Sequence, residues 1–152
     1  MKLMVIDGNS ILNRAYYGIR PLSTRDGLFT HAIYGFLTTL LRLKSEEQPD
    51  ALCVTFDLHA PTFRHKASAA YKATRKPMPE ELRMQVPVLK EVLDALKIPR
   101  YELEGWEADD LLGTISRRCR EAGWECVVVT GDKDSLQLIN DATKVKLVST
   151  RM

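Results

Sequence analysis

Cysteine and histidine are both scarce, with three of each in 152 residues. Cys53, Cys119 and Cys126 fall at no ligand spacing and form no disulfide framework. Cys53 and Cys126 sit in apolar runs and Cys119 in a helical pattern, so buried, reduced thiols of a cytoplasmic protein are expected. His31, His59 and His65 show no metal spacing either. No apolar stretch approaches the ~20 residues of a membrane span. The apolar run after Lys2 is ended by Asp7, too early for a secretory signal. Repeats and low-complexity tracts are absent. With 45% hydrophobic and 28% charged residues, the chain has enough material for a core without staples.

What is present is an alternation of short apolar runs and amphipathic stretches. Leu3 to Ile6, Ala51 to Phe56 and Cys126 to Thr130 read as buried parallel strands, with a shorter strand at Tyr101 to Leu103 and another at Val145 to Val148. Ser10 is placed to cap a helix after the first strand. Thr30 is the candidate N-cap of a helix through Ile33, Phe36, Leu37, Leu40, Leu41 and Leu43 that stops before Pro49. Glu80 to Lys97 reads as one helix, and Glu107 to Ala122 as another closed by Gly123. A short helix is expected from Asp134 to Ile139. Trp106 and Trp124 are expected in the core. The class is α/β, with a mainly parallel central sheet flanked by helices.

Three of the strands end in an acid: Asp7, Asp57 and Asp132. In parallel sheets the carboxyl ends of the strands share one edge, where ligands bind. Glu107 and Asp110, three apart at a helix start, face one way. With Asp109 and Asp134, seven carboxylates are expected near that edge. Such a cluster repels itself unless cations neutralise it. Hard oxygen donors favour Mg²⁺ or Mn²⁺, and two such ions suit phosphodiester hydrolysis. Asp134 with Gln137 also fits a capping box, and Asp109 also fits a solvent-facing position.

Between residues 58 and 79 the pattern is lost. Arg64, Lys66, Lys72, Arg75 and Lys76 occur there without one Asp or Glu, against a net charge of +2 for the whole chain. Cations beside an acid cluster would hold nucleic-acid phosphates near the metals. Lys72, Arg75 and Lys76 fall on one helical face with Tyr71 adjacent, able to stack on a base of a single strand. With few large apolar residues, the segment is expected to order only with DNA.

The motifs Met-Val-Ile-Asp-Gly-Asn-Ser, Val-Thr-Phe-Asp, Thr-Phe-Arg-His, Tyr-Lys-Ala-Thr-Arg, Gly-Trp-Glu-Ala-Asp-Asp and Thr-Gly-Asp-Lys-Asp-Ser-Leu-Gln-Leu occur in that order. Together they resemble the 5′–3′ exonuclease domain of bacterial DNA polymerase I, in the flap endonuclease family with its PIN-like fold. The resemblance implies Mg²⁺-dependent cleavage of 5′ flaps, and excision from nicks and single-stranded 5′ ends, in replication and repair. It implies metal ligands at Asp7, Asp57, Glu107, Asp109, Asp110, Asp132 and Asp134. Tyr71, Lys72 and Arg75 match an arch through which the 5′ strand passes, within an arch-like segment 58–79. Arg14, Arg64, Lys66 and Lys76 join them as expected DNA contacts. Lys72, Arg75, Asp7 and Asp110 are the expected catalytic residues. Family members continue with two further aspartates and a helix-hairpin element gripping duplex DNA. The chain is therefore expected to be the N-terminal metal-binding part, 1–152, of a longer polymerase chain, truncated before that C-terminal subdomain. On that reading it folds and binds metal but cleaves poorly alone. Two alternatives stay open: a PIN-class ribonuclease, and a catalytically impaired DNA-binding fragment.

Overall fold

The structure, a computed structural model, describes residues 1–57 and 78–148. The expected behaviour of the basic segment, and the placement of Arg64, Lys66, Tyr71, Lys72, Arg75 and Lys76, lie outside the described residues. Five strands form one parallel sheet in the order β3-β2-β1-β4-β5. They are β1 (Lys2–Asp7), β2 (Ala51–Thr55), β3 (Arg100–Tyr101), β4 (Glu125–Thr130) and β5 (Thr143–Leu147). Among the described residues the helices are α1 (Gly8–Gly18), α2 (His31–Glu47), α3 (Glu80–Arg83), α4 (Gln85–Ala95) and α5 (Ala108–Glu121), with a 3-10 helix at Lys133–Leu138. Among the described residues no helix is long and apolar enough to cross a membrane.

β1 is central. Val5 pairs with Cys53 of β2 on one side and with Val128 of β4 on the other. Alternate side chains of a strand point to opposite faces, and both faces are covered here. Met4, Ile6, Val54, Val127 and Val129 pack against α1, α2, α3 and α4 through Ile11, Phe36, Leu82 and Leu89. Val5, Cys53, Cys126 and Val128 pack against Leu112 and Cys119 of α5. A strand buried on both faces has no polar side, which is why these runs read as continuously apolar. The three free thiols all lie in this second, thinner layer. Burial pushes Cys53 and Cys126 up to about 12, so both stay as thiols.

On the thicker face, the edge strand β5 presents Lys144 and Lys146 where an interior strand would present apolar residues. The C-terminus of α2 meets them. Glu47 is buried, with Lys144 at 2.7 Å, Lys146 at 2.9 Å and Lys2 at 3.7 Å. Hydrogen bonds from Lys144 and Lys146 hold its carboxyl down to about 2.

Four sequence expectations need correction. The single helix from Glu80 to Lys97 is two, α3 and α4, divided at Met84. Pro87 explains the break, because its ring would strike the Arg83 carbonyl of an unbroken helix, whereas the first turn of a new helix accepts it. Ser10 does not cap α1; Asp7 does, accepting from the Ser10 N–H. Asp134 and Gln137 make no capping box, because Asp132, two positions earlier, caps the 3-10 helix. Trp106 is 46% exposed, on a surface turn whose N–H bonds the Leu103 carbonyl. Trp124 packs partly buried against the second layer as expected. Thr30 does stand at the N-cap of α2, but its side chain makes no cap bond.

The cap of α2 comes instead from α4. Gln85 is fully buried, and its Oε1 accepts from the backbone N–H groups of Ala32 at 2.8 Å and Ile33 at 3.1 Å. Its Nε2 donates to the Glu81 carbonyl. One side chain thus satisfies two orphan donors that water cannot reach. Gln85→Met, close in shape but without the amide, is expected to cost about 1–3 kcal/mol, lowering Tm by roughly 3–10 °C. Thermal denaturation checks this, and a change within about 0.5 kcal/mol would mean that the α2 amides find another acceptor.

Candidate metal centre

The motif Asp7-Gly8-Asn9-Ser10 is a bracket at the carboxyl edge of the sheet. Gly8 turns the chain against β2, where a Cβ would lie 2.6 Å from the Thr55 carbonyl oxygen and 2.7 Å from the Phe56 ring. Any larger residue there would push α1 off the strand. Asn9 then reaches to one side, its Oδ1 accepting from the Asp57 N–H at 2.9 Å. Ser10 reaches to the other, its Oγ accepting from the Gly131 N–H at 2.8 Å. The first turn of α1 therefore ties together the chain ends that leave β2 and β4.

Five of the seven expected acids line one pocket of about 180 Å³: Asp7, Asp57, Glu107, Asp109 and Asp132, with Asn9, Ser10 and Asn13. Asp110 and Asp134 stand at the same helix starts but outside that lining. The acids also have structural duties. Asp57 accepts from the backbone N–H of Ala108, joining the end of β2 to the start of α5. Asp132 accepts from the Asp134 N–H at 2.9 Å, and Asp110 from the Glu107 N–H at 3.0 Å. Capping fixes these side chains, and the positive N-terminal ends of α1, α5 and the 3-10 helix offset part of their mutual repulsion. Arg14 donates to the Gly131 carbonyl beside Asp132. Gly131 is packed so closely that a Cβ would lie 2.2 Å from the Arg14 Nε.

Asn9, Asn13, Ser10 and Thr130 are the site residues that acid-counting misses. Asn9 and Asn13 are one helical turn apart, so their common face toward the strand ends was a readable signal. Thr130 gives no such signal, because its partners come from tertiary structure. A second cleft, about 510 Å³ and lined by Cys53, Tyr101, Leu111, Ile115 and Trp124 among others, lies away from the acids.

Asp7 is 4% exposed. Burial first, then the charges of Asp109 and Asp57, push its carboxyl from the usual 3.8 up to about 7, against the opposing pull of the Thr130 hydrogen bond. A carboxyl whose folded value lies above its unfolded one binds its proton more tightly in the fold. The fold therefore loses stability as pH rises from about 4 to about 7. Metal-free Asp7→Asn is expected to melt higher than the parent at pH 8, with the advantage gone near pH 4. Paired melting curves across that range test the sign, and an Asn variant less stable at pH 8 would contradict it.

The comparisons with known proteins agree with this geometry. Residues 2–152 match the 5′-3′ exonuclease, N-terminal resolvase-like domain. DNA polymerase I of Caldicellulosiruptor bescii is 43% identical over 151 residues, covering 99% of this chain and 18% of the polymerase. A 5′-3′ exonuclease of Aquifex aeolicus is 41% identical over 139 residues, covering 91% of this chain and 48% of that one. The chain thus spans less than half the length of these relatives. Among solved structures, a bacteriophage T5 protein co-crystallised with metal ions superposes with a TM-score of 0.74 at 20% identity, over all of this chain and 57% of the T5 chain. The bacteriophage T5 flap endonuclease, in a pseudo-enzyme-product complex with DNA and metal ions, gives 0.67 at 19%, again over 100% and 57%. At such identity the likeness is one of fold, and the expected PIN-like architecture is the one observed. On its sequence match across nearly every residue, the chain belongs to the 5′-3′ exonuclease N-terminal resolvase-like domain family.

Proposed function

We propose that this chain is the acid-bearing part of a divalent-metal-dependent 5′–3′ exonuclease and 5′-flap endonuclease that hydrolyses phosphodiesters in DNA. The observation that carries this reading is the convergence of five carboxylates, from the ends of three strands and the start of α5, on one pocket. The donor set fits a hard cation, with carboxylate oxygens supplemented by Asn and Ser and no thiol or imidazole among the lining. Among the described residues no three His, Cys, Asp or Glu side chains are gathered tightly enough to hold one ion. Mg²⁺ or Mn²⁺ held there would take one or two carboxylates each and keep several waters.

Asp7, Asp57, Glu107, Asp109 and Asp132 would hold the ions, with Asp110 and Asp134 at the rim. When bound, the metal ions would lower the pKa of the attacking water and stabilise charge on the leaving oxygen. The side chains do the rest. Asp7 carries its charge in the fold only at a cost in desolvation and repulsion, and a cation would remove that cost. Asn9 and Ser10 keep Asp57 and the Gly131-Asp132 turn in place before any ligand arrives. Arg14, and in the basic segment Arg64, Lys66, Tyr71, Lys72, Arg75 and Lys76, would grip the phosphates of flapped, nicked or single-stranded 5′ ends, with Lys72 and Arg75 nearest the chemistry. The relatives support DNA as substrate: two are named as DNA polymerase I or 5′-3′ exonuclease, and a fold neighbour is a complex with DNA. Reduced, buried thiols fit a cytoplasmic setting in replication and repair.

The test is cleavage of 5′-flap DNA and of single-stranded RNA, with Mg²⁺ and with chelator, by the longest form of the protein that contains this domain. Flap cleavage that requires the metal is expected, with Asp132→Asn at least ~10²-fold slower and its circular dichroism unchanged. RNA cut as fast as the flap, or cleavage indifferent to chelator, would defeat this assignment in favour of a related ribonuclease or a metal-independent activity.

A further inference from the structure

Thr130 ends β4 with no solvent exposure, yet it sits between two of the pocket acids. Its Oγ1 accepts from the Asp132 N–H at 3.1 Å and lies 2.9 Å from Asp7 Oδ2. A hydroxyl has a single hydrogen, and an ionised carboxylate can only accept. Ser10 Oγ is farther, at 3.4 Å, and already accepts from the Gly131 N–H. Where Asp7 is ionised, above about pH 7, donation runs from the Asp132 N–H to the Thr130 oxygen and from the Thr130 hydroxyl to Asp7. Among the described residues the other bond to the Asp7 carboxylate is long, from the Ser10 N–H to Oδ1 at 3.4 Å. The β-branched side chain holds χ1 stiffly, so the hydroxyl is a rigid fixture and not an adaptable one.

We propose that Thr130 is a positioning residue for the metal-binding carboxylates. It fixes the rotamer of Asp7 and the backbone of Asp132 together, and so sets the separation of two ligands on neighbouring strands before a cation binds. The proposal rests on the metal reading above. A valine of the same shape would keep the packing, but it would leave the Asp132 N–H without its acceptor and Asp7 Oδ2 without its donor. A serine would keep both bonds and lose only the methyl group. Hydrogen-bond partners that orient a metal ligand are typically worth 10–100-fold in metal affinity.

The experiment compares Thr130→Val and Thr130→Ser with the parent, reading Mn²⁺ affinity by calorimetry, flap cleavage and Tm. Thr130→Val is expected to bind Mn²⁺ roughly 10-fold or more weakly. Its kcat should fall at fixed metal, KM for DNA should be unchanged, and excess Mn²⁺ should recover the rate in part. Thr130→Ser should stay within about threefold of the parent, since it retains the hydroxyl. Equal affinities of parent and valine variant, or a serine variant as impaired as the valine one, would overturn the proposal. Should the valine variant fail to fold, the metal-free parent decides by NMR at pH 8, where Asp7 is ionised. A Thr130 hydroxyl proton slowed in exchange and coupled to the Asp7 carboxylate supports the relay, and one exchanging freely sinks it. That NMR reading also separates the two ideas. A parent that binds no Mn²⁺ would remove the metal reading, while the presence or absence of the slowed proton would still judge Thr130.

Discussion

Five carboxylates share one small pocket, where the charges of Asp109 and Asp57 act on Asp7, and the surrounding structure is organised around keeping them there. Repulsion of this kind would ordinarily spread the strand ends apart or protonate the acids. Three devices oppose it. Strand β1 is held between β2 and β4 by a ladder on each side. The turn after it clamps both neighbours through Asn9 and Ser10. Helix starts at α1, α5 and the 3-10 helix present their N–H groups to the acids. Asp7 is the most buried of the set, and its proton affinity is raised by desolvation first and by the charges of Asp109 and Asp57 after it.

This arrangement dissolves a choice that the sequence poses. An Asp after a strand or at a helix start can be a structural cap or a metal ligand, and each reading is sound taken alone. Asp57 and Asp132 show that the first reading does not exclude the second: each carboxylate bonds a backbone amide while lining the pocket. Capping removes rotamer freedom that a ligand would otherwise have to remove on binding, so the site is shaped in advance.

The sheet and its acids were legible because burial on both faces writes a strand as an unbroken apolar run, and each of the three long runs stops at Asp. Legibility failed where a residue's partner is far along the chain. Gln85 caps a helix more than fifty positions earlier, and no local pattern announces that. Ser10 and Thr30 look like caps by composition, yet the bonds go to other residues. Pro87 was readable and outweighed by the helical spacing of its neighbours. Trp106 was assigned to the core by residue type, whereas a turn ahead of α5 holds it at the surface. Thr130 could not be found by any count of ionisable groups, because its hydroxyl bonds one carboxylate and one backbone N–H that meet only in the fold.

The contact between Arg14 and Gly131 bears on how such a domain can drift in sequence. Position 131 has no room for a β-carbon while the arginine at position 14 keeps its present placement, and the arginine in turn donates its hydrogen bond to that same glycine carbonyl. Neither can change first without cost: a side chain at 131 collides, and a short side chain at 14 abandons the carbonyl that steadies the turn before Asp132. Lineages that replace one should carry a compensating replacement of the other. The two positions, 117 residues apart in sequence, are coupled through this one contact, so a change at either alters what the other can do.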